Sequence, residues 1–141
     1  QARALVNTWM QNRLQAIPEG SFEAFLHNLE SERKAIQRAI TLYDQLQLQG
    51  LSLFIDGRLE GFTFGERLNG DVANVLIEKT NFNIQGAAQY LFREFTKVYA
   101  DCTYVNVGDD LGFENLRRVK MSYRPAMFGE KVILRRRQLA E

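Results

Sequence analysis

A short run of small and polar residues could hold a phosphate group. It lies between a predicted β-strand and a predicted helix and reads Asn83-Ile84-Gln85-Gly86-Ala87-Ala88. Small residues at such a junction let backbone N–H groups approach an anion, and the helix dipole adds roughly half a positive charge. The candidate contacts are Asn83, Gln85, Gly86, Ala87 and Ala88. Small residues also let a helix pack closely on a sheet, so this structural explanation stays open.

The counts of cysteine and histidine exclude several other chemistries. Cys102 is the only cysteine and His27 the only histidine, so the chain cannot form an intramolecular disulfide, a Cys/His zinc site or a CxxC redox pair. We predict no metal site. A nucleophilic triad would have to use His27, which lies in a charged amphipathic stretch typical of a helix surface. With one cysteine, no apolar run of about 18 residues and no signal-peptide pattern, we expect a cytoplasmic protein.

The first 50 residues are predicted to be helical. Apolar residues at helical spacing over residues 4–14 indicate an opening helix that ends near Pro18, and Ser21 can cap the next helix. The charged residues 30–34 could divide that second stretch into two helices. Gly50 is predicted to end the helical region as a C-cap.

From residue 51 the apolar pattern becomes that of strands. Asp56-Gly57 predicts a tight type I′ hairpin, because both central positions of that turn need positive φ angles, and Asn69-Gly70 predicts a second turn of the same kind. Apolar residues at i, i+3, i+4 and i+7 predict an amphipathic helix further on. The predicted strands cover residues 51–55, 59–64, 72–78, 103–107 and 131–134, and the predicted helices cover residues 86–99 and 113–120.

This order, N-terminal helices followed by βββαβαβ, predicts an α+β fold in a single domain. Residues 1–50 form its helical region and residues 51–141 its sheet core. A right-handed crossover between the third and fourth strands would make them a central parallel pair in a mixed sheet. The loops after these strands, residues 79–85 and 108–112, would then meet at one carboxyl edge, where ligands usually bind.

The element order and the phosphate loop resemble the GNAT acyltransferase superfamily, whose pyrophosphate loop has a Gly-x-Gly/Ala pattern matched by Gly86 and Ala88. A larger set of residues resembles the GNAT-like, Fem-related C-terminal domain of the phosphatidylglycerol lysyltransferase family over residues 30–137. The set is Glu78-Lys79-Thr80-Asn81, Gly86-Ala87, Tyr104-Val105-Asn106, Asp110-Leu111-Gly112, Leu116-Arg117-Arg118, Lys120, Ser122-Tyr123 and Pro125. The resemblance implies that the chain is the C-terminal half of a longer, tandem GNAT-like protein.

The resemblance also implies a reaction in which an amine or hydroxyl acceptor, such as a phospholipid head group, attacks an activated aminoacyl or acyl group. Lys120 could neutralise a phosphate or the oxyanion, and Tyr123 could protonate the leaving group. Glu78, Asp109 and Asp110 could hold an ammonium group or accept a proton. The donor would be aminoacyl-tRNA, bound by its 3′ end, or acyl-CoA, and no other cofactor is expected.

Each candidate residue has a structural alternative. Asp110 can form a turn or cap a helix, and Lys120 can be a solvated cation at a helix end. Tyr123 can be a half-buried core aromatic residue. Glu78 can form a surface ion pair with Lys79, which would contribute under about 1 kcal/mol.

The charge distribution adds a candidate surface. The net charge is +1, but residues 51–110 carry five basic and nine acidic side chains, whereas residues 111–141 carry eight basic and three acidic ones. Arg135-Arg136-Arg137 could contact tRNA phosphates or anionic lipid head groups at a membrane surface. They could equally protect an edge strand from aggregation, and consecutive strand residues cannot all face one site.

Three functions therefore stay open on the sequence. The first is a GNAT-like, aminoacyl-tRNA-dependent acyltransferase. The second is a non-catalytic GNAT-like module that binds an anion or another domain, and the third is an acetyl-CoA-dependent N-acetyltransferase. For all three we expect the chain to pack on an N-terminal GNAT-like half or to self-associate.

Overall fold

The computed structural model of the chain describes residues 4, 6–7, 9–11 and 22–135. The chain forms two compact units, residues 1–108 and residues 109–141, and each is described by itself. The described residues between 4 and 11 are helical, as the opening pattern predicts. The predicted end of that helix near Pro18, the Ser21 cap and the arginines Arg136 and Arg137 lie outside the described residues.

The helix α1 spans Phe22–Thr41 without a break. The predicted division at residues 30–34 is wrong, because charged side chains in this stretch pair along the helix surface instead of interrupting it. The Arg33 Nε donates to a Glu30 carboxylate oxygen at 2.9 Å, and Lys34 Nζ lies 4.0 Å from the other oxygen. Such i,i+3 and i,i+4 pairs favour a continuous helix.

The predicted C-cap at Gly50 is also wrong. The helix ends at Thr41, turns follow, and Gly50 already lies within the first strand. A glycine is needed there for close packing, because a Cβ would stand 2.9 Å from both the Thr63 carbonyl oxygen and the Tyr43 hydroxyl.

Four strands form one mixed sheet in the order β1-β2-β3-β4. The first three are antiparallel neighbours, and β4 runs parallel to β3, as the crossover rule predicts. The α+β fold with its parallel strand pair is thus confirmed, but among the described strands this pair lies at the edge of the sheet and not at its centre. The strands span Gln49–Ile55 (β1), Arg58–Arg67 (β2), Val72–Thr80 (β3) and Tyr104–Asn106 (β4), and the helix α2 between β3 and β4 spans Ala87–Val98.

The two predicted hairpins form with different turns. Asp56 and Gly57 have φ angles of 49° and 76°, which is the left-handed pair of a type I′ turn. The second turn is not of this kind. The side-chain oxygen of Asn69 accepts hydrogen bonds from the N–H groups of Asp71 and Val72 at 2.9 and 3.0 Å, so a side-chain acceptor shapes a longer loop.

Apolar side chains pack on both faces of the sheet. One face presents Phe62 and Phe64 of β2 to a cluster that includes Ile36 of α1. On the other face, Ala73 of β3 packs with the fully buried Phe95 of α2. The sheet is therefore fixed between the two helices, which holds β3 and the start of α2 in place.

The pairing of β3 with β4 is short. Only Val72–Asn74 pairs with Tyr104–Asn106, and in the described part of the chain residues 75–80 of β3 pair with β2 alone. A strand without a second neighbour presents unpaired backbone N–H and C=O groups along that side. The carboxyl half of β3 is therefore an open edge.

The second unit contains the helix α3, Glu114–Ser122, close to its predicted position. The predicted strand over residues 131–134 is wrong, because these residues adopt no strand in the structure. Val132, Ile133 and Leu134 are exposed by 74%, 69% and 91%. The β-branched Val132 and Ile133 suit a strand. No strand among the described residues pairs with them, so β4 ends the sheet.

Candidate functional site

Glu78 lies in the open half of β3, opposite Thr63 of β2. Gly61, two residues before Thr63 and hence on the same face, would bring a Cβ within 3.3 Å of Leu91 in α2, so Glu78 faces the α2 side of the sheet. The side chain is half-buried, and its Oε2 is buried without a hydrogen-bond partner among the described residues. Burial raises the pKa of Glu78 from 4.5 to about 7, although nearby Lys79 opposes this.

The Lys79 side chain lies on the other face of β3 from Glu78, because successive strand residues point to opposite faces. Its Nζ donates to Glu32 of α1 at 2.7 Å and lies 3.7 Å from the centre of the Trp9 ring. The surface ion pair between Glu78 and Lys79, which the sequence left open, is therefore wrong. Glu78 is a half-buried carboxyl group that can take up or release a proton near neutral pH.

The predicted phosphate loop follows β3 directly. Gly86, the N-cap residue of α2, has a φ of 81°, and nothing lies within 4 Å of where its Cβ would stand. No side chain caps the helix, and its first turn has no acidic residue. Across the part of the chain that is described, the N–H groups of Gln85, Gly86 and Ala88 donate to no protein acceptor. The loop therefore leaves N–H groups available at the positive end of a helix dipole.

Two of the predicted loop contacts are occupied within the protein. The Asn83 N–H donates to Asn81 Oδ1 at 3.1 Å, and the Ala87 N–H donates to the Ile84 carbonyl at 3.2 Å. Ala87 is also 5% exposed, so its small side chain serves the packing of α2. Both explanations of the small residues thus apply. Ala87 serves the packing of α2, whereas Gly86 and Ala88 leave their backbone N–H groups accessible.

Glu60, which no sequence motif singled out, holds the loop to β2. The Glu60 carbonyl accepts the Asn81 N–H at 2.7 Å, and its carboxylate accepts the Asn81 side-chain N–H at 2.8 Å. The signal was present in the hairpin register, since Gly61 pairs with Thr80 and the preceding residue must therefore face Asn81.

In the second unit, Asp109 and Asp110 lie in ion pairs. Asp109 accepts from Lys131 Nζ, and Asp110 accepts from Arg117 Nε at 2.8 Å. These hydrogen bonds, above all other causes, lower the pKa of both aspartates. Both carboxylates are thus ionised at neutral pH and are weak proton acceptors there.

The side chains of Asp109 and Asp110 also shape the backbone that follows them. Asp109 Oδ1 accepts the Leu111 N–H at 2.9 Å, and Asp110 Oδ1 accepts the Gly112 N–H at 2.8 Å, so each side chain closes a turn. The N-cap position of α3 belongs to Phe113, so the helix-cap alternative for Asp110 is wrong and the turn alternative holds.

Lys120 and Tyr123 lie together at the end of α3. Lys120 is half-buried, its Nζ donates to the Asp109 carbonyl at 2.6 Å, and burial lowers its pKa despite the nearby aspartates. Tyr123 is the half-buried C-cap residue, and its N–H donates to the Lys120 carbonyl at 3.2 Å. The second unit thus brings Asp109 and Lys120 into contact, whereas Glu78 belongs to the first unit.

Other chemistries find no site in the described residues. His27 is exposed on α1, and no group of three or more His, Cys, Asp or Glu side chains within the described ranges could hold a metal ion. Among the helices described, none is long and apolar enough to cross a membrane.

The fold is that of GNAT acetyltransferases, as comparison with solved structures shows. A ribosomal-protein-alanine N-acetyltransferase from Brucella melitensis biovar Abortus 2308 aligns with a TM-score of 0.50 and 16% identity, over 62% of this chain and 70% of that one. An aminoglycoside N-acetyltransferase in complex with CoA aligns with a TM-score of 0.51 and 16% identity, over 87% and 97% of the two chains.

Residues 1–134 match the family described as phosphatidylglycerol lysyltransferase, C-terminal, and the chain belongs to this family. The resemblance carried by the sequence motifs is thereby confirmed. A conserved protein of unknown function from Bacteroides thetaiotaomicron VPI-5482 aligns with a TM-score of 0.66 and 26% identity, over 90% of this chain and 50% of that one. The chain thus spans half the length of that protein. No curated protein matches the chain in sequence.

Proposed function

We propose that the chain is the acyl-transferring part of a GNAT-type enzyme that moves an acyl group from an activated ester or thioester to an amine or hydroxyl acceptor. The observation that carries the proposal is Glu78, a half-buried carboxyl group with a pKa of about 7 and an unpartnered oxygen. A group that titrates near neutral pH suits general base catalysis, because it is partly ionised and returns the proton readily.

In the proposed reaction the acceptor lone pair attacks the carbonyl carbon of the donor while Glu78 takes the proton from the acceptor nitrogen or oxygen. The bond from that carbon to the donor oxygen or sulfur then breaks, and the leaving group takes up a proton. The donor is already activated, so orientation of the two substrates supplies much of the rate. The open edge of β3 offers backbone groups that can orient a donor containing amide bonds.

The donor is proposed to place a phosphate on the loop between β3 and α2. Gly86 and Ala88 offer N–H groups there, and the helix dipole favours an anion. Both aminoacyl-tRNA and acyl-CoA carry phosphates, so the loop suits either. The family description favours an aminoacyl donor and a phospholipid head group as acceptor. The CoA complex of the aminoglycoside N-acetyltransferase, which has the same fold, keeps acetyl-CoA as the second candidate.

The remaining sequence candidates, Lys120, Asp109, Asp110 and Tyr123, stay proposals. The half-buried Lys120 is suited to neutralise an oxyanion or a phosphate, and Tyr123 to protonate a leaving group. The lowered pKa of the aspartates suits them to hold an ammonium group rather than to accept a proton. We also propose that the chain packs on a second GNAT-like half, since it aligns with half of the Bacteroides protein.

The test measures transfer from lysyl-tRNA to phosphatidylglycerol vesicles and, separately, from acetyl-CoA to a small amine. Glu78→Gln should lower kcat by about 10²-fold or more and remove the rise of activity around pH 7. Glu114→Gln, whose side chain is 86% exposed, is the matched control and should leave activity unchanged. Lys120→Ala tests the lysine in the same assay.

If the wild type transfers from one donor and Glu78→Gln does not, that donor is identified as the substrate. Transfer that continues unchanged in Glu78→Gln would remove the general-base assignment. Binding of a phosphate-bearing donor by thermal shift, with no transfer from either donor, would favour the non-catalytic module instead.

A further inference from the structure

The segment from residue 127 to residue 134, here called the C-terminal segment, exposes a dense group of apolar side chains. Phe128 is 76% exposed, Ile133 69% and Leu134 91%, and Met127 and Val132 are exposed by 61% and 74%. Single exposed apolar residues are ordinary on a protein surface, whereas a dense group marks an interaction surface. The segment is therefore suited to contact something apolar.

The part of the sequence that contains this segment is mainly basic. Residues 111–135 contain six basic side chains and two acidic ones. Arg117 and Lys131 pair with Asp110 and Asp109. Within residues 22–135, which the structure describes without a gap, no ion pair uses the following three cations: Arg118, Arg124 and Arg135. The apolar segment thus lies in a unit with positive charge that no ion pair among residues 109–135 neutralises.

We propose that the C-terminal segment binds the surface of a bilayer containing anionic phospholipid. Its apolar side chains enter the interface between head groups and acyl chains, and the three arginines contact lipid phosphates. Such a bilayer offers apolar and anionic contacts side by side, which is the combination that amphipathic surface-binding segments use. An RNA would match the arginines but not five exposed apolar side chains.

The choice of a bilayer over an acidic protein rests on the proposed function, in which a phospholipid head group is the acceptor. Binding to the bilayer needs no donor and no catalysis, however. A vesicle-binding experiment therefore fails or succeeds independently of the transfer assay.

The experiment is co-sedimentation of the 141-residue chain with vesicles of equal parts phosphatidylglycerol and phosphatidylcholine, compared with vesicles of phosphatidylcholine alone. Binding should be strong only with the anionic vesicles and should weaken as salt is raised, because salt screens the arginines. The variant Phe128→Ser/Ile133→Ser should lower the partition coefficient by at least about tenfold, since both side chains lose apolar contact with the bilayer. Phe54→Ser, which removes a phenylalanine of β1 that is 53% exposed, is the matched control and should bind as the wild type does.

A second pair of variants tests the charges. Each basic residue near an anionic bilayer contributes about fivefold in binding, the equivalent of about 1 kcal/mol. Arg118→Gln/Arg135→Gln should therefore weaken binding by about thirtyfold. The exposed pair Arg38→Gln/Arg58→Gln, located in the first unit, should leave it unchanged.

Equal binding to neutral and anionic vesicles, or wild-type binding by both sets of C-terminal variants, would overturn the proposal. So would self-association in sedimentation velocity that Phe128→Ser/Ile133→Ser abolishes without lipid, because the segment would then be an interface between copies. All the substituted side chains are exposed, so far-UV circular dichroism should show the wild-type fold in each variant.

Discussion

Replacing Glu78 by glutamine should stabilise the protein at alkaline pH and have no effect in acid. Burial raises the pKa of this carboxyl from 4.5 to about 7. Ionising it in the folded state is therefore unfavourable, and Glu78→Gln removes the charge while keeping the shape of the side chain. The effect tests the burial of the carboxyl group directly, without any substrate.

The magnitude follows from the two pKa values. Each unit between the folded and unfolded pKa corresponds to about 1.4 kcal/mol, so the full effect is about 3 kcal/mol. The folded state binds the proton more tightly, so this stability is present below pH 4.5 and is lost as the pH rises through about 7. The wild type should lose it between these values, whereas Glu78→Gln should not.

The assay is urea unfolding of wild type and Glu78→Gln from about pH 4 to about pH 8, with the free energy of unfolding fitted at each pH. The two proteins should agree at about pH 4 and differ by about 3 kcal/mol at about pH 8, or roughly 10 °C in Tm. The exposed Glu114→Gln should follow the wild type throughout. A difference between wild type and Glu78→Gln that does not change with pH would refute the assigned burial.

Two further predictions concern glycines. Gly65→Ala should destabilise the protein by at least about 2 kcal/mol in thermal unfolding, because a Cβ there would overlap the Asn74 carbonyl oxygen. Gly70→Ala, with open space around it, should be near neutral. Equal stability of the two variants would contradict the close contact of β2 and β3. Gly86→Val should strain the left-handed φ of 81° by about 1–2 kcal/mol and weaken binding of inorganic pyrophosphate at least fivefold in calorimetry. Gly57→Val should impose a similar strain at φ 76° without changing that affinity. A similar loss of affinity in both variants would mean that pyrophosphate does not bind at the loop.

Sequence patterns predicted the elements whose formation depends on neighbours along the chain. The turn at Asp56-Gly57 depends on two residues that accept positive φ, and α2 depends on apolar spacing within one segment. The strand predicted over residues 131–134 does not form, because its formation depends on residues elsewhere in the chain. A strand is stable only when another strand pairs with it, and the β-branched residues of the segment do not supply that partner.

The loop of the candidate site could be predicted from the sequence, whereas the surroundings of its charged side chains could be predicted less well. Gly86 combines a residue type with the position at which a helix begins, and both are visible in the sequence. Glu78 and Lys79 are adjacent in sequence but serve opposite faces of β3, so their environments depend on Thr63, Glu32 and Trp9. The role of Glu60 required the strand register in addition, because its contact with Asn81 spans two strands.

The contact between Lys79 and Trp9 provides an optical probe of the N-terminal region. Trp9 is the single tryptophan of the chain, so all indole emission comes from this position. A cation 3.7 Å from the ring centre changes the electric field at the indole, and separation of helix and strand would remove it. Intrinsic fluorescence therefore reports whether the helical residues near Trp9 are docked on β3, a few residues from the proposed phosphate loop, without any added label.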